Sequence, residues 1–378
     1  MKCKLIDIAE FNPKESLKKG TVAKKVAMDQ LRPFSRDIPG YTLEPFNGGT
    51  KFRNGDTIMA RITPCLENGK TAKVNILDDG EIGFGSTEYI VFRAKEGISD
   101  EDYLYYLICS PIVRDAAIKS MVGSSGRQRV QTDVVQNLEV DLPSITEQKK
   151  IGALLRSLDD KIELNNKINE NLERQAQAIF RSWFWDYLPF NSIKPTSWKF
   201  CTLGEATKMS AGGDKPKSIS RVKSTEYPYP IYSNGLDNEG LYGYTNEAKI
   251  FAESVTVSAR GTIGFVCLRH IPYVPIVRLV TLIPDENLIS AKYLYLYLKQ
   301  LHISGTGTTQ QQLTVPDFRK TEILIPDKTT MDKFTNLISP MFNRIWTNEE
   351  ENVKLVLLRD SLLPKLMSGE INVEDVNI

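Results

Sequence analysis

The sequence carries one helical pattern twice, 183 residues apart. The first set of positions, spaced alternately by four and three residues, comprises Ile151, Leu155, Leu158, Ile162, Asn165, Asn169, Leu172, Ala176, Ile179 and Trp183. The second set comprises Phe334, Ile338, Met341, Ile345, Asn348, Asn352, Leu355, Arg359, Leu362 and Leu366. Mostly apolar residues at this spacing are typical of a helix that packs along another helix. Two such helices, each following a globular segment, predict pseudo-twofold symmetry.

The globular segments also resemble each other. Tyr103–Leu107 has a counterpart in Tyr293–Tyr297, and the dipeptide at Ala60 recurs at Ala259, each at the end of a strand-like run. A repeat over the whole chain indicates a duplicated structural unit. We therefore expect an α/β (α+β) fold with two globular domains joined by two long antiparallel helices. The predicted segments are residues 1–144, a helix within 145–189, residues 190–327 and a helix within 328–378.

Local signals place the ends of these helices. Ser144 and Glu147 form a capping-box pattern, which predicts a helix from about residue 146 to Phe184. The second helix is predicted from about residue 329 to 367, where Gly369 can end it. Within the first globular segment, Ser99 is predicted to cap a shorter helix.

Four asparagines interrupt the apolar pattern near the middle of both helices: Asn165, Asn169, Asn348 and Asn352. In an antiparallel pair the two middles meet. We therefore predict a buried polar layer that sets the helix register at some expense of stability. The alternative is that some of these side chains point to solvent.

Composition excludes few functions. The chain has 378 residues with 41% hydrophobic residues, and its net charge is only +1. A contact with nucleic acid must therefore come from local patches. No run of 18 apolar residues and no secretory signal is recognisable, and the five cysteines lack metal-site spacing. These features favour a cytoplasmic protein with reduced thiols.

Three sequence stretches together resemble a known family. They are the run Leu142–Ile151 that opens the first long helix, the run Ala178–Phe184 that closes it, and Leu362–Ile371 near the end of the chain. With the order of segments, they resemble the specificity (S) subunit of a type I restriction–modification system over the full length. The second helix departs from the pattern, because Asp327–Phe334 lacks the Pro-x-x-x-Glu-Gln sequence that opens the first. Equal docking of partners on both helices is therefore not implied.

The resemblance implies a subunit without a catalytic centre, metal or cofactor of its own. Residues 1–144 and 190–327 would each be a target recognition domain that reads one half of a split double-stranded DNA sequence. The long helices would set the gap and dock two adenine methyltransferase subunits, which use S-adenosylmethionine. Two motor-endonuclease subunits, which use ATP and Mg, would complete the enzyme, and no membrane is involved.

Two groups of polar residues are candidates for DNA contacts. Arg and Gln can form bidentate hydrogen bonds to guanine and adenine, while Ser and Thr suit phosphates. The first group lies in repeated polar loops: Ser124, Ser125, Arg127, Gln128, Arg129, Gln131, Thr308, Thr309, Gln310, Gln311 and Gln312. The second follows strand-like runs or lies in glycine-rich turns: Arg61, Thr63, Asn68, Lys70, Ser86, Thr87, Ser233, Asn234, Arg260 and Thr262. The alternatives are ordinary surface loops and arginines paired with carboxylates.

Intrinsic catalysis has little support in the sequence. The run from Asn12 to Glu15 lacks the second proline and the aromatic residue of an adenine methyltransferase motif, and no G-x-G-x-x-G follows a strand. A nuclease would need clustered carboxylates, and none stands out. A two-headed scaffold that binds proteins rather than DNA remains the alternative. Steep salt dependence of DNA binding would argue against it.

The asparagine layer generates a stability prediction. Replacing all four asparagines with leucine should raise the melting temperature of the chain, because the polar groups are then removed from the interface between the two helices. Thermal unfolding followed by circular dichroism tests this, and a clear fall in melting temperature would contradict a buried layer.

Overall fold

The computed structural model describes residues 1–305 and 312–376. The chain divides into two compact units, Met1–Lys167 with Thr347–Ile378, and Ile168–Trp346. Each unit combines one globular region with a stretch of both long helices. The units therefore differ from the linear segments predicted above, because each long helix contributes to both.

The first globular region (residues 1–144) contains ten short strands and four helices. The strands are β1 Lys2–Lys4, β2 Ala9–Phe11, β3 Val22–Val26, β4 Thr42–Pro45, β5 Thr50–Phe52, β6 Thr57–Ala60, β7 Thr71–Lys73, β8 Gly83–Gly85, β9 Tyr89–Ala94 and β10 Glu139–Asp141. The helices are α1 Leu5–Ile8, α2 Glu101–Cys109, α3 Pro111–Lys119 and α4 Thr132–Gln136. The first long helix, α5 Ile145–Phe184, follows and is called the central helix.

The second globular region (residues 190–327) contains a similar set. Its strands are β11 Lys199–Thr202, β12 Thr207–Ala211, β13 Tyr229–Tyr232, β14 Leu241–Thr245, β15 Ser254–Val257, β16 Val266–Arg269, β17 Val274–Pro275, β18 Val280–Pro284 and β19 Glu322–Ile325. Its helices are α6 Leu203–Ala206, α7 Ala291–Gln300 and α8 Val315–Phe318. The second long helix, α9 Lys328–Ser368, is called the distal helix. Short 3-10 turns lie at Met28–Gln30, Leu188–Phe190, Asp237–Gly240 and Val373–Asp375.

The two globular regions share most of their topology, although one sheet has four strands in the first region and its described counterpart has three. An antiparallel sheet of order β2-β9-β6-β7 in the first corresponds to β12-β18-β15-β16 in the second. A second sheet pairs β3 in parallel with β8, and its counterpart pairs β13 in parallel with β17. The first and last strands of each region also pair, β1 with β10 and β11 with β19. The predicted internal repeat is confirmed.

Buried strands and capped helices explain this architecture locally. Strands β6 and β15 are buried along their whole length and rich in β-branched residues, which favours a covered position in a sheet. Helix α2 is capped by Asp100, whose carboxylate accepts hydrogen bonds from the backbone of the first turn. The prediction that Ser99 caps this helix is wrong. Its hydroxyl donates instead to the Ile8 carbonyl at 2.6 Å, which ties the segment before α2 to the end of α1.

The long helices have ends close to those predicted. The Ser144 hydroxyl accepts a hydrogen bond from the backbone of Glu147 at 3.3 Å, as a capping residue does. Gly369 follows the distal helix with a φ of +71°, a left-handed conformation that ends helices readily. Within residues 1–305 and 312–376, no helix is both long and apolar enough to cross a membrane.

In the first unit, polar contacts join the two helices. Asn165 donates to the Asn352 side chain at 2.9 Å, and Asp159 pairs with Arg359 at 2.7 Å. The order of these contacts runs in opposite directions along the two helices, so the helices are antiparallel here. Asp159 also accepts a hydrogen bond from the Tyr106 hydroxyl of α2 at 2.6 Å. The carboxylate and guanidinium are buried, with only 5% and 10% of their side chains exposed.

In the second unit, aromatic packing joins the same helices, again antiparallel. Phe184 meets Phe334 edge to face at 4.8 Å, and Asn169 lies near Ile345, whose carbonyl accepts from its amide at 3.4 Å. The repeat of 183 residues places Phe342 where the first unit has Asp159, and Ala176 where it has Arg359. Both are buried in the apolar core of the second unit. One unit therefore holds an ion pair at the position that the other fills with hydrocarbon.

The four asparagines are buried to different degrees. Asn165 and Asn348 are fully buried, whereas Asn169 and Asn352 are partly exposed. Asn165 donates to Asn352 and to Glu351, while its buried side-chain oxygen has no hydrogen-bond partner among the described residues. An unsatisfied buried oxygen lowers stability, which supports the prediction that leucine raises the melting temperature. The role of these residues in setting the register stays a prediction.

The buried ion pair generates a second prediction. Changing Arg359→Met should lower the free energy of unfolding by about 3 kcal/mol, because Asp159 is left charged and buried. Adding Asp159→Asn should recover most of the loss, since the neutral amide can still accept from Tyr106. Urea unfolding at neutral pH measures both variants.

A solvent-exposed pair between the same helices is the matched control. Lys161 and Glu351 lie 3.3 Å apart with 38% and 41% of their side chains exposed. Changing Lys161→Met should cost less than about 1 kcal/mol, because exposed pairs contribute little. An equal loss in both single variants, or no recovery in the double variant, would show that burial of the Asp159–Arg359 pair does not matter.

Candidate DNA interface

An exposed loop in the first unit displays several of the predicted contact residues. Val122 and Arg129 exchange two backbone hydrogen bonds of 2.9 and 3.0 Å, which close the loop between them. Inside the loop, the backbone of Arg127 donates to the Ser124 carbonyl at 3.0 Å and makes a tight turn. Ser124, Ser125 and Arg127 are exposed at its tip. The loop is thus anchored at its base and presents polar side chains outward.

The same loop is attached to the end of strand β6. The Arg61 carbonyl accepts from the backbone of Val130 at 2.9 Å, and its guanidinium donates to the Val130 carbonyl at 3.3 Å. Thr63 donates to the Gln128 carbonyl through its backbone at 3.0 Å and its hydroxyl at 3.4 Å. Thr63 and Gln128 are 65 positions apart in the sequence and come from different predicted groups. The fold therefore brings the two groups together in one cluster.

Glu88 belongs to this cluster and was missed by sequence reasoning. Its carboxylate accepts from Nη2 of Arg129 at 2.6 Å and from Nε at 3.0 Å. This hydrogen bonding lowers the pKa of Glu88 despite an opposing contribution from partial burial. Its carbonyl also accepts from the backbone of Arg61 at 2.9 Å. A single glutamate before a strand gives no signal of a partner 41 residues away, so only the fold reveals the pair.

The remaining candidates of the first unit differ in their availability. Asn68 and Thr87 are exposed, while the Ser86 hydroxyl accepts from the backbone of Glu88 at 3.1 Å. The ammonium of Lys70 donates to the Met28 carbonyl at 2.8 Å. The backbone of Gln131 donates to the Ser120 hydroxyl at 3.2 Å, at the start of α4. Lys70 and Ser86 therefore already have partners within the chain.

The second unit repeats the attachment of loop to strand. Leu313 donates through its backbone to the Ala259 carbonyl at 3.0 Å, and Leu313 is the counterpart of Val130 in the 183-residue repeat. The neighbouring Arg260 guanidinium donates to the Gln312 side-chain oxygen at 3.1 Å. Arg260 and Thr262 are exposed. The other predicted loop residues, Thr308, Thr309, Gln310 and Gln311, lie outside the described residues.

Asn234 holds this end of the second sheet together. Its side-chain oxygen accepts from the backbone of Ala259, and its amide donates to the Val277 carbonyl, both at 2.7 Å. The backbone of Ser233 donates to the Gly240 carbonyl at 2.8 Å. The Asn234 amide is therefore engaged in positioning the strand end that carries Arg260.

The cluster offers no site for a metal. Among residues 1–305 and 312–376, no three His, Cys, Asp or Glu side chains are grouped so that they could hold an ion. Charge near the first loop is also partly compensated, since Arg129 faces Glu88.

Comparisons with known proteins identify the family. The model of the type I restriction modification DNA specificity domain matches residues 2–174 and 195–355. The chain is 27% identical over 320 residues to the type I restriction enzyme MjaIX specificity subunit of Methanocaldococcus jannaschii, covering 75% of this chain and 71% of that protein. It is 25% identical over 422 residues to the HindI specificity subunit of Haemophilus influenzae, covering 89% of each.

A solved structure shows the same fold. The type I restriction–modification S subunit from M. genitalium aligns with a TM-score of 0.59 at 16% identity, covering 97% of this chain and 96% of that one. The two family matches together span most of the chain and fall on the two repeated halves. The chain therefore belongs to the type I restriction modification DNA specificity family, as a non-catalytic specificity subunit whose partners are DNA and the modification and restriction subunits of its system.

Proposed function

We propose that this subunit reads a bipartite double-stranded DNA target, with one half-site contacted by each globular region. The proposal rests on a backbone arrangement that recurs in both regions but carries different side chains. In each region, the residue that follows a polar stretch donates a backbone hydrogen bond to the end of a strand, Val130 to Arg61 and Leu313 to Ala259. The position before it is Arg129 in the first region and Gln312 in the second. Because Arg suits guanine and Gln suits adenine, two such loops favour two different half-sites.

The proposed contacts divide by chemistry. Arginines and glutamines of the loops would contact base edges, whereas Ser124, Ser125 and Thr262 would contact phosphates. Asn234 and Lys70 would act by supporting the surface, because the structure engages their side chains within the chain. With a net charge of only +1, contacts with DNA must come from local patches such as these loops.

The proposed assembly follows from the two long helices. Residues 1–144 and 190–327 would be the target recognition domains, and the helices would set the gap between half-sites and dock two adenine methyltransferase subunits. Two motor-endonuclease subunits would complete the enzyme in the cytoplasm. S-adenosylmethionine, ATP and Mg would be bound by those partners and not by this chain. Since the two helices begin with different sequences, we expect the two docking sites to differ in affinity.

The methylome of the host tests the function directly. Single-molecule sequencing with and without this gene should show one split adenine motif of fixed gap that depends on the gene. Expression of the partner methyltransferase is verified in both strains as the control. An unchanged methylome under those conditions would contradict the proposal and favour a protein-binding scaffold.

Exchange of one globular region tests the division of labour. Replacing residues 190–327 with the corresponding region of another specificity subunit should change one half-site and leave the other unaltered, because each region has its own sheets and its own loop. The reciprocal exchange of residues 1–144 is the matched control and should change the opposite half-site. If either exchange altered both half-sites, the regions would not read independently.

A further inference from the structure

We propose that Glu88 and Arg129 together form a guanine reader, in which Glu88 is a positioning residue that orients the Arg129 guanidinium towards the base. The inference rests on the proposed function, since it assigns one base contact within the half-site read by the first globular region. Nothing in the sequence pattern assigns a role to Glu88. The assignment depends on the geometry of its contact with Arg129 and on how both backbones are held.

The contact uses only one edge of the guanidinium. Glu88 accepts from Nε at 3.0 Å and from Nη2 at 2.6 Å, which are the donors on the side of the group. The end of the guanidinium carries Nη1 and the second hydrogen of Nη2. Among the described residues, Nη1 of Arg129 has no hydrogen-bond partner. Two parallel N–H groups therefore remain available on a side chain that is 46% exposed.

These two donors match guanine better than the other bases. In the major groove, guanine presents two acceptors, O6 and N7, to a pair of parallel donors. Adenine presents one acceptor and one donor at the same edge, so one guanidinium N–H would face an amino group. The free end of Arg129 can therefore discriminate guanine from adenine.

The carboxylate makes a phosphate contact the weaker alternative. A phosphate clamp depends on net positive charge and on the release of counterions. The pair of Arg129 with Glu88 has no net charge, and the acid itself would be repelled by the phosphate backbone. Glu88 holds the Arg129 guanidinium in one orientation, so that its free donors point in a fixed direction. Base recognition requires such directed hydrogen bonds. Holding the arginine beforehand also reduces the rotamer entropy lost on binding.

Both backbones that carry the pair are anchored. Arg129 exchanges two backbone hydrogen bonds with Val122 at the base of the loop, and the Glu88 carbonyl accepts from Arg61 at the end of β6. The Ser86 hydroxyl also accepts from the backbone of Glu88. A recognition side chain works best when a supporting residue locks it on rigid elements. The second region shows a different solution, in which the Arg260 guanidinium donates to the neutral side-chain amide of Gln312.

The test selects binding sites from random DNA. The chain, assembled with the methyltransferase subunits of its own system, is incubated with a duplex library of random sequence, and the bound fraction is sequenced. The variants are Arg129→Lys, which keeps the charge but loses the planar fork, and Glu88→Gln, which loses the paired acceptors. Glu44→Gln is the matched control, because it removes the same charge from another ion-paired glutamate of the first unit, 2.8 Å from Lys25.

We expect both variants to lose about tenfold in preference for guanine at one and the same position of one half-site. The other half-site should be selected as in the wild type, which also shows that the assembly is folded. Glu88→Gln should bind duplexes lacking the motif at least as well as the wild type, because a negative charge has been removed. Glu44→Gln should change no base preference.

Three results would overturn the assignment. Glu88→Gln could keep the guanine preference while binding all DNA more tightly, which would make Glu88 a merely repulsive acid. Arg129→Lys could weaken binding to all sequences equally, as expected of a phosphate contact. The affected position could be a base other than guanine. These three results concern the Glu88–Arg129 assignment alone, because the wild-type assembly still selects a split motif in each. If the wild-type assembly selected no split motif, the proposed function itself would be contradicted.

Discussion

Antiparallel pairing of the central and distal helices is the interaction on which both compact units depend. Each unit encloses a stretch of both helices, and its core includes their inward faces. In the first unit, the pairing includes the buried Asp159–Arg359 contact and the hydrogen bond of Asn165 to Asn352. A buried charge must meet its partner, so a shift of one helical turn would leave the Asp159 carboxylate without the Arg359 guanidinium. The ion pair therefore favours one register of the two helices.

The second unit reaches the same helix arrangement by different means. Its helices meet through Phe184 and Phe334. Phe342 is buried in the same core, and Ala176 occupies the position equivalent to Arg359. Aromatic edge-to-face contacts and hydrocarbon burial supply the stability there. The helix–helix interfaces of the two units therefore differ in chemistry. A helix segment of one unit is a poor substitute for the matching segment of the other, because an unpaired arginine or aspartate buried in an aromatic interface is strongly unfavourable.

The globular regions separate support from recognition. Backbone hydrogen bonds join the residue after the polar stretch to a strand end in both regions, from Val130 to Arg61 and from Leu313 to Ala259. Such bonds hardly depend on side-chain identity, so the exposed side chains can vary without loss of the fold. We propose that residues such as Asn234 support the surface although their type suits DNA, since the Asn234 amide bonds to backbone atoms at 2.7 Å. Polar type alone therefore does not separate readers from supports.

The sequence by itself determined the duplication, the two long helices and their approximate ends, because these depend on local periodicity and capping that a single chain segment displays. It also placed Arg61 and Arg129 among the candidate contacts. The pairing of Arg129 with Glu88, the engagement of Asn234 and the partnering of Asp159 with Arg359 were decided only by tertiary structure. Each joins residues far apart in the chain, across distances at which no local pattern specifies which donor will meet which acceptor.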